Sequence, residues 1–180
     1  NGRTLENSIV SGFADDGAGT IWVTTEKSGL FRYDVESGSL TAYDKYEFKE
    51  TICSPCWYEG YLWIGSMKGL IRLDVRTGQV KRYASFAAAS VEDNKCYVVY
   101  RTDSGHLYVG TTLGLMRYDF RKDRFDSIDG LEGRFITGID EDSRGRMWVS
   151  TYADGAFCFH QGDSIRLRHY QYPDGIATNK

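Results

Sequence analysis

The chain repeats itself, and this repetition limits the folds open to it more than any other feature of the sequence. Four segments each begin with glycine and place an aromatic residue three positions later, between two apolar residues. The four aromatic residues are spaced 41, 45 and 40 residues apart: Trp22, Trp63, Tyr108 and Trp148. A period near forty residues is typical of proteins in which each repeat is one supersecondary unit.

Each repeat contains four short apolar runs, and their composition predicts β-strands. The runs are rich in Val, Ile, Tyr, Phe, Trp and Thr and are bounded by Gly, Asp, Asn and Ser. Aspartate and glycine supply the turn chemistry, as in Asp142–Gly145 and Asp34–Gly38. The best helical candidate, Ser85–Ser90, is too short to be stable alone. The sequence therefore predicts an all-β fold with four strands in each repeat.

The second run of each repeat indicates how the sheets pack. Adjacent residues such as Leu62, Trp63 and Ile64 are all large and apolar, so both faces of the strand must be covered. The next position is small in every repeat, which leaves room for a neighbouring sheet: Thr24, Gly65, Gly110 and Ser150. Antiparallel sheets packed between copies of themselves describe a β-propeller rather than a β-sandwich.

The predicted organisation is a single propeller segment over residues 1–180, with about four blades. The expected blade bounds are approximately 5–44, 50–84, 95–129 and 134–172, and residues 173–180 are expected to lead into a further blade. Because both ends of the chain fall between blades, we expect a piece of a larger, seven-bladed type of ring. Such a piece would expose two flat apolar faces, so we also expect self-association.

Composition excludes several classes of protein. The 180 residues are 41% hydrophobic and 14% aromatic, which is enough for a packed core and argues against intrinsic disorder. No apolar stretch approaches the roughly 18 residues of a membrane helix. A formal charge of −3 without a Lys/Arg block argues against nucleic acid as a partner. The residues of this chain contain no charged-then-apolar leader, so any targeting signal is expected to lie outside them.

Cys53-Ser-Pro-Cys56 is the one motif that suggests reactive chemistry. A redox pair of this spacing needs the start of a helix to lower the thiol pKa, whereas these residues fall in a predicted first strand. No second such pair and no paired histidines supply further metal ligands. We favour structural thiols over a redox or metal site, although Pro55 could bend the strand and bring the two sulfurs together. No cofactor and no metal are predicted.

The remaining polar residues also favour structural interpretations. His106, His160 and His169 occupy three different positions of the repeat, so no symmetric metal ring arises and surface histidines are expected. The acidic turns lack the ligand spacing of a calcium loop. Arginines recur beside aspartates at one position of the first three repeats, which predicts edge ion pairs rather than an anion-binding ring: Arg32, Arg72 and Arg117 beside Asp34, Asp74 and Asp119. No catalytic residues are nominated.

The segment from Ile136 to Thr151 reads Ile-x-x-Ile-x-Glu-Asp-x-x-Gly-x-x-Trp-Val-x-Thr and resembles the two-component regulator propeller repeat. The Gly-Leu-x-x-Tyr-Asp blocks beginning at Gly29 and Gly114 resemble it too, as do the lead-ins Asp129–Leu131 and Pro173–Ile176. The resemblance extends over essentially the whole chain. Departures include Tyr108 in place of Trp.

This resemblance implies a function. Propellers of that family form the periplasmic sensor half of hybrid histidine kinases, commonly in bacteria that degrade complex glycans. It therefore implies a non-catalytic, extracytoplasmic sensor segment whose partners are an oligosaccharide or other small ligand and the remaining blades of its parent. Two alternatives are a propeller lyase or hydrolase acting on carbohydrate, and a four-bladed hemopexin-like scaffold, which usually joins its first and last blades by a disulfide.

The expected ligand site lies on loops, because the aromatic anchors should pack between blades. Loops joining second to third strands and connectors between repeats should emerge at one end of the fold. The candidate ligand-binding residues there combine stacking surface with polar and charged groups, a mixture that suits carbohydrate or an anionic oligosaccharide: Tyr46, Phe48, Lys68, Arg134, Tyr152 and Asp154.

Overall fold

The structure, a computed structural model, describes residues 5–6, 8–83, 95–162 and 165–171. Within these ranges the chain forms four four-stranded antiparallel sheets whose strands follow one another in chain order, and there is no helix. It follows that no described helix could cross a bilayer. The predicted all-β fold with four strands per repeat is confirmed. The candidate helical segment 85–90 and the final lead-in, 173–180, lie outside the described residues.

The chain divides into two compact units, Asn1–Ala84 and Ser85–Lys180, and each contains two sheets. The strands of unit 1 are β1 (Val10–Asp15), β2 (Thr20–Thr25), β3 (Leu30–Asp34), β4 (Leu40–Ala42), β5 (Ile52–Tyr58), β6 (Tyr61–Ser66), β7 (Gly69–Leu73) and β8 (Val80–Tyr83). The strands of unit 2 are β9 (Cys96–Arg101), β10 (Leu107–Thr111), β11 (Gly114–Asp119), β12 (Arg124–Ser127), β13 (Ile136–Glu141), β14 (Arg146–Thr151), β15 (Ala156–His160) and β16 (Arg168–Tyr170).

Each unit has a hydrophobic core formed between its two sheets. In unit 1, Trp22 and Leu30 of the first sheet pack with Leu62 and Ile71 of the second. The core of unit 2 is built in the same way, from Tyr108, Leu115, Ile136, Met147 and Phe159 among others. Apolar residues at adjacent positions of a strand are thus buried on both of its faces, as the sequence predicts.

In unit 2, the small residue two positions after the anchor Tyr108 makes this packing possible. A Cβ atom at Gly110 would lie 2.7 Å from Cγ2 of Ile136 on the neighbouring sheet, so a larger residue there would force the sheets apart. Tyr108 packs across the sheets of unit 2, with its ring centroid 6.3 Å from that of Phe159. Trp63 and Trp148 instead contact aromatic rings on the outer strands of their own sheets, Tyr83 and Tyr170.

A β-bulge interrupts the first strand of every sheet, a feature that the sequence pattern did not reveal. The extra residue is Ser11 in β1, Tyr97 in β9 and Thr137 in β13, always opposite the end of the second strand. In β5 the bulge lies one pair further on, at Ser54, which has a φ of 43°. Bulges re-aim side chains and increase the local twist. Here they set the direction of the chain as it enters each sheet.

The charged edge residues form a different pattern from the expected one. Arg32 pairs with Asp34 at 3.5 Å, but the partner of Asp74 is Arg76 and that of Asp119 is Lys122. Arg72 lies over the rings of Tyr61 and Trp63. The three aspartates share another role: each accepts backbone N–H groups of the turn that follows. The pKa values of all three are lowered, foremost by these backbone groups at Asp34 and Asp74 and foremost by the side chain of Lys122 at Asp119. Turn formation, more than pairing with arginine, explains why they recur.

Candidate functional site

A buried hydroxyl at the end of each second strand shapes the loop that follows it. Thr151 Oγ1 accepts the N–H of Asp154 at 2.9 Å and donates to the carbonyl of Gly155 at 2.9 Å. The same pair of hydrogen bonds is formed by the equivalent residues of the other sheets: Thr25, Ser66 and Thr111. The loops expected to carry the ligand site are therefore held by a common pair of internal hydrogen bonds, and their tips differ in sequence and by one residue in length.

Three aromatic rings stack in unit 2, and we call this group the aromatic stack: Tyr97, Phe135 and Tyr152. The ring of Tyr152 lies 5.5 Å from that of Phe135 at an interplanar angle of 16°, and the ring of Tyr97 packs on Phe135 at 4.7 Å with a tilt of 39°. The backbone N–H of Tyr152 also donates to the carbonyl of Phe135 at 2.9 Å, which ties the loop to the connector. Tyr152 is 62% exposed, so the outer end of the stack faces solvent.

Two charged residues lie beside this stack. Arg134 Nε is 3.8 Å from Oδ2 of Asp154, an ion pair too long for a hydrogen bond, and its guanidinium lies 5.1 Å from the centre of the Phe157 ring. Arg134 Nε is buried without a hydrogen-bond partner. The exposed His169 lies parallel to Phe157 at 4.2 Å, with its Nε2 2.6 Å from the carbonyl oxygen of Asp154. A carbonyl can only accept, so Nε2 of His169 carries the hydrogen.

The structure thus brings together three of the six candidates, Arg134, Tyr152 and Asp154. Two partners in the same group, Tyr97 and Phe135, were not nominated from the sequence. Phe135 immediately precedes a first strand, and Tyr97 is the bulged residue of another. The bulge determines where that ring points, and nothing in an alternating apolar pattern reports it.

The candidates in unit 1 have other surroundings. Tyr46 and Phe48 are half-buried, contact each other edge to face at 5.0 Å, and pack against the core of unit 1. The Tyr46 hydroxyl accepts a hydrogen bond from Arg82 at 2.6 Å, and Arg82 also pairs with Glu50. Lys68 is exposed at the tip of its loop. Tyr46 and Phe48 anchor their connector to β8, and a ligand role for these three residues stays a prediction.

The thiols show no sign of activation. All four cysteines are thiols, including Cys53 and Cys158, which a hemopexin-like clasp would have joined. Burial raises the pKa of Cys53 to about 11 and also raises that of Cys158. The spacing of the repeats predicts that Cys53 and Cys96 occupy matched positions, but in the observed register Cys96 corresponds to Ile52. Across the described ranges no cluster of three or more potential metal ligands occurs.

In one of the acidic turns, the carboxylate of Asp142 accepts several hydrogen bonds. Its carboxylate accepts the indole N–H of Trp148 at 2.9 Å, the Nε–H of Arg146 at 2.6 Å and two backbone N–H groups. These hydrogen bonds, that from Trp148 foremost, hold the pKa of Asp142 well below its ordinary value. The carboxylate oxygens are thus used within the turn, which agrees with a structural role rather than calcium binding.

Comparison with known proteins gives a family match at one repeat. A family model described as a two component regulator propeller matches residues 130–153, which include the connector, β13, β14 and Tyr152. The resemblance inferred from the sequence is confirmed at this repeat. No curated protein matches the chain by sequence.

Solved structures identify the fold as a β-propeller. The chain is similar to the extracellular domains of BT3049 and BT4673, two proteins of B. thetaiotaomicron assigned to hybrid two component systems. The TM-scores are 0.79 and 0.73, the identities 19% and 18%, and the coverage of this chain 98% and 94%. It spans only 24% and 23% of those chains. Virginiamycin B lyase of Staphylococcus aureus is similar too, with a TM-score of 0.71, 13% identity, and coverage of 97% of this chain and 60% of that one. The four sheets are propeller blades.

Proposed function

We propose that this chain is a non-catalytic ligand-recognition segment of an extracytoplasmic, periplasmic sensor in a two-component signalling protein. Its ligand is a glycan fragment, held by the aromatic stack together with Arg134 and Asp154. The exposed ring of Tyr152, supported from behind by Phe135 and Tyr97, is the observation that carries the proposal. The family match over residues 130–153 and the similarity to extracellular domains of hybrid two component systems support the sensor role.

The physical basis is the shape and polarity of a sugar ring. Its C–H face packs on an aromatic face, and its hydroxyl groups need hydrogen-bond partners at the rim. Tyr152 offers such a face, and the carboxylate of Asp154 and the guanidinium of Arg134 offer acceptors and donors beside it. Because Arg134 Nε has no hydrogen-bond partner, a ligand hydroxyl or carboxylate that reached it would satisfy a buried donor.

Signalling to a distant kinase needs one further property of the ligand. Binding can shift an equilibrium only if the ligand prefers one of the two conformations of the parent protein. A ligand that ties the loop of Tyr152 to the connector of Phe135 would favour one arrangement of these two segments. Ligand binding and the shift of the conformational equilibrium would therefore involve the same two segments, the loop of Tyr152 and the connector of Phe135.

A lyase reaction is the alternative function, because several similar propellers are named lyases. His169 is the histidine nearest the stack, and it donates to the carbonyl of Asp154. An enzyme would convert a carbohydrate that a sensor only binds, so turnover separates the two functions.

The test is a glycan-array screen of the 180-residue chain, followed by calorimetry on the glycans that bind. Replacing Tyr152 with Ala removes the outer ring and should weaken binding at least about tenfold, or about 1.4 kcal/mol. The matched control is Phe120→Ala, since Phe120 is also exposed (60%) and contacts one aromatic neighbour, Tyr118, in the same unit. Binding that survives Tyr152→Ala, or no binding to any glycan, would contradict the proposal. Release of a glycan product would favour the lyase.

A further inference from the structure

We propose that the glycan bound beside the aromatic stack is acidic, and that a carboxylate of its sugar pairs with Arg134 in place of Asp154. This ligand class rests on the proposed function, since it narrows the glycan fragment to an oligosaccharide that contains a uronic acid. The residues involved come from the connector before β13, the loop after β14 and strands β15 and β16: Arg134, Asp154, Phe157 and His169.

These residues lie on the face of the fourth sheet that packs against the third, inside unit 2. Phe157 is 3% exposed and belongs to the core between the two sheets. His169 is the direct partner of Phe157 in the pairing of β15 with β16, so the two rings share one face of the sheet. Arg134 reaches the ring of Phe157 from the connector that joins the two sheets. The site is therefore built by the two sheets of one unit.

Arg134 is a cation that is partly removed from water. Its side chain is 32% exposed, and its guanidinium lies 5.1 Å from the centre of the Phe157 ring. Its Nε is buried and has no hydrogen-bond partner among the described residues. A partly buried charge without a hydrogen-bonded counter-ion is costly, and an anion that reaches it lowers that cost. Arg134 thus lacks an acceptor that a ligand could supply.

Asp154 neutralises Arg134 only in part. Its Oδ2 is 3.8 Å from Nε of Arg134, and its side chain is 51% exposed. The pair of Arg146 with Asp142 in the same sheet shows a closer geometry, with Nε and Oδ2 2.6 Å apart. A long and solvated ion pair contributes little to stability. The cost of replacing Asp154 by a ligand carboxylate is therefore small.

The loop can keep its conformation when the carboxylate of Asp154 moves away from Arg134. The backbone N–H of Asp154 donates to Thr151 Oγ1, and its carbonyl accepts from Nε2 of His169. Both hydrogen bonds hold the backbone of the loop and neither uses the carboxylate. A ligand can therefore replace this carboxylate without disturbing the loop that carries Tyr152.

A carboxylate suits Arg134 better than a sugar hydroxyl does. The guanidinium presents its N–H groups in a planar fork that matches the two oxygens of a carboxylate. Such charge-assisted hydrogen bonds are roughly twice as strong as neutral ones. The carboxylate of Glu132, on the same connector, accepts the N–H of Gly130 at 2.7 Å and is used there.

A uronic acid combines the two groups that this site can contact. Its ring has a C–H face that packs on an aromatic face, and it carries a carboxylate at the rim. Arg134 directly precedes Phe135 of the aromatic stack, and Asp154 follows Tyr152 by two residues. The aromatic face and the guanidinium therefore belong to the same two segments.

Calorimetry with matched pairs of glycans tests the proposal. The probes are fragments of polygalacturonate, hyaluronan and glucuronoxylan, each compared with the same glycan after reduction of its carboxyl groups to alcohols. The chain should bind at least one of these fragments, and its acidic form at least about tenfold more tightly than the reduced form. Added salt should weaken binding of the acidic form more than binding of the reduced form.

Three variants assign the preference to named side chains. Arg134→Gln should remove the difference between the two forms, whereas Arg134→Lys keeps the charge and should keep a preference for the acid. Asp154→Asn removes the competing negative charge and should strengthen binding of the acidic form about threefold. The matched control is Arg124→Gln, because Arg124 pairs with Asp126 at 3.0 Å elsewhere in unit 2 and should not affect binding. Circular dichroism shows whether each variant is folded.

The outcomes separate this proposal from glycan recognition itself. Binding that depends on Tyr152 but is equally tight for acidic and reduced forms, or that is confined to neutral glycans, would overturn the acidic ligand and leave the proposed function in place. Weaker binding of the acidic form by Asp154→Asn would also overturn it, since Asp154 would then hold the ligand itself. Binding to no glycan at all would overturn both.

Discussion

The two units use aromatic residues near their loops in opposite ways. In unit 1, Tyr46 and Phe48 are half-buried on the connector, and the Tyr46 hydroxyl is bonded to Arg82 of β8. In unit 2, the ring of Tyr152 is 62% exposed and has aromatic support on one side. Aromatic residues of a connector thus serve packing in unit 1, whereas an aromatic residue of a hairpin loop presents an exposed surface in unit 2.

The connectors explain this difference. In unit 2 the connector is fixed early, since Ile128 and Leu131 enter the core and the N–H of Gly133 donates to the carbonyl of Leu113 at 2.7 Å. Phe135 and Arg134 follow this fixed part and are left beside the loop of the next hairpin. In unit 1 the connector aromatics themselves provide the attachment, so less of them remains for a ligand.

The largest expected effect concerns the cores. Trp63→Ala in unit 1 removes a side chain that is only 1% exposed, and should lower the free energy of unfolding by about 3–5 kcal/mol. Trp148→Ala at the equivalent, half-buried position of unit 2 should cost less, about 1–3 kcal/mol. Urea denaturation followed by far-UV circular dichroism measures both. Equal losses of unfolding free energy in the two variants would contradict the expectation that the buried Trp63 contributes more than the half-buried Trp148.

A smaller effect separates the two groups of aromatic residues. Tyr46→Ala should lower the free energy of unfolding by about 1–3 kcal/mol, because it removes packing and leaves Arg82 without the hydroxyl acceptor. Tyr152→Ala should change it by less than about 0.5 kcal/mol, as is usual for exposed residues. The same denaturation experiment tests both. A large loss for Tyr152→Ala would mean that its ring is structural, as that of Tyr46 is.

The smallest effect depends on pH. Since the folded-state pKa of Asp142 is below its ordinary 3.8, its contribution to stability is fully present above that value. The contribution is lost as the pH falls through the folded-state pKa. Hydrogen exchange at pH 3 compared with pH 6 should therefore show selective loss of protection in β14, relative to β6 of unit 1. Asp142→Asn should lose protection at both pH values and show less change between them; an unchanged pH difference would contradict this role.

Much of the fold could be predicted from the sequence because it depends on patterns that recur. The glycine-led segments predict strands and turns, and the small residue at Gly110 predicts close approach of the next sheet. Three of six candidate site residues come together because strand order places their loops at one end of the unit. Tyr97 could not be found in this way, since its orientation depends on a one-residue insertion in backbone pairing. The burial of Tyr46 could not be found either, because it depends on Arg82 of a later strand.

The displaced bulge at Ser54 shows how such a chain can tolerate evolutionary change. Proline has no N–H to donate, yet Pro55 sits in β5 because that strand pairs on one side only. Moving the irregularity by one pair restores the later partners, so that Cys56 still faces the anchor Trp63 just as Ala14 faces Trp22. A change in the first strand of one repeat is therefore compensated within a few residues, because the pairing with the second strand becomes regular again after the bulge. The first strand of one repeat can therefore change in sequence while the strand pairing of the other repeats stays the same.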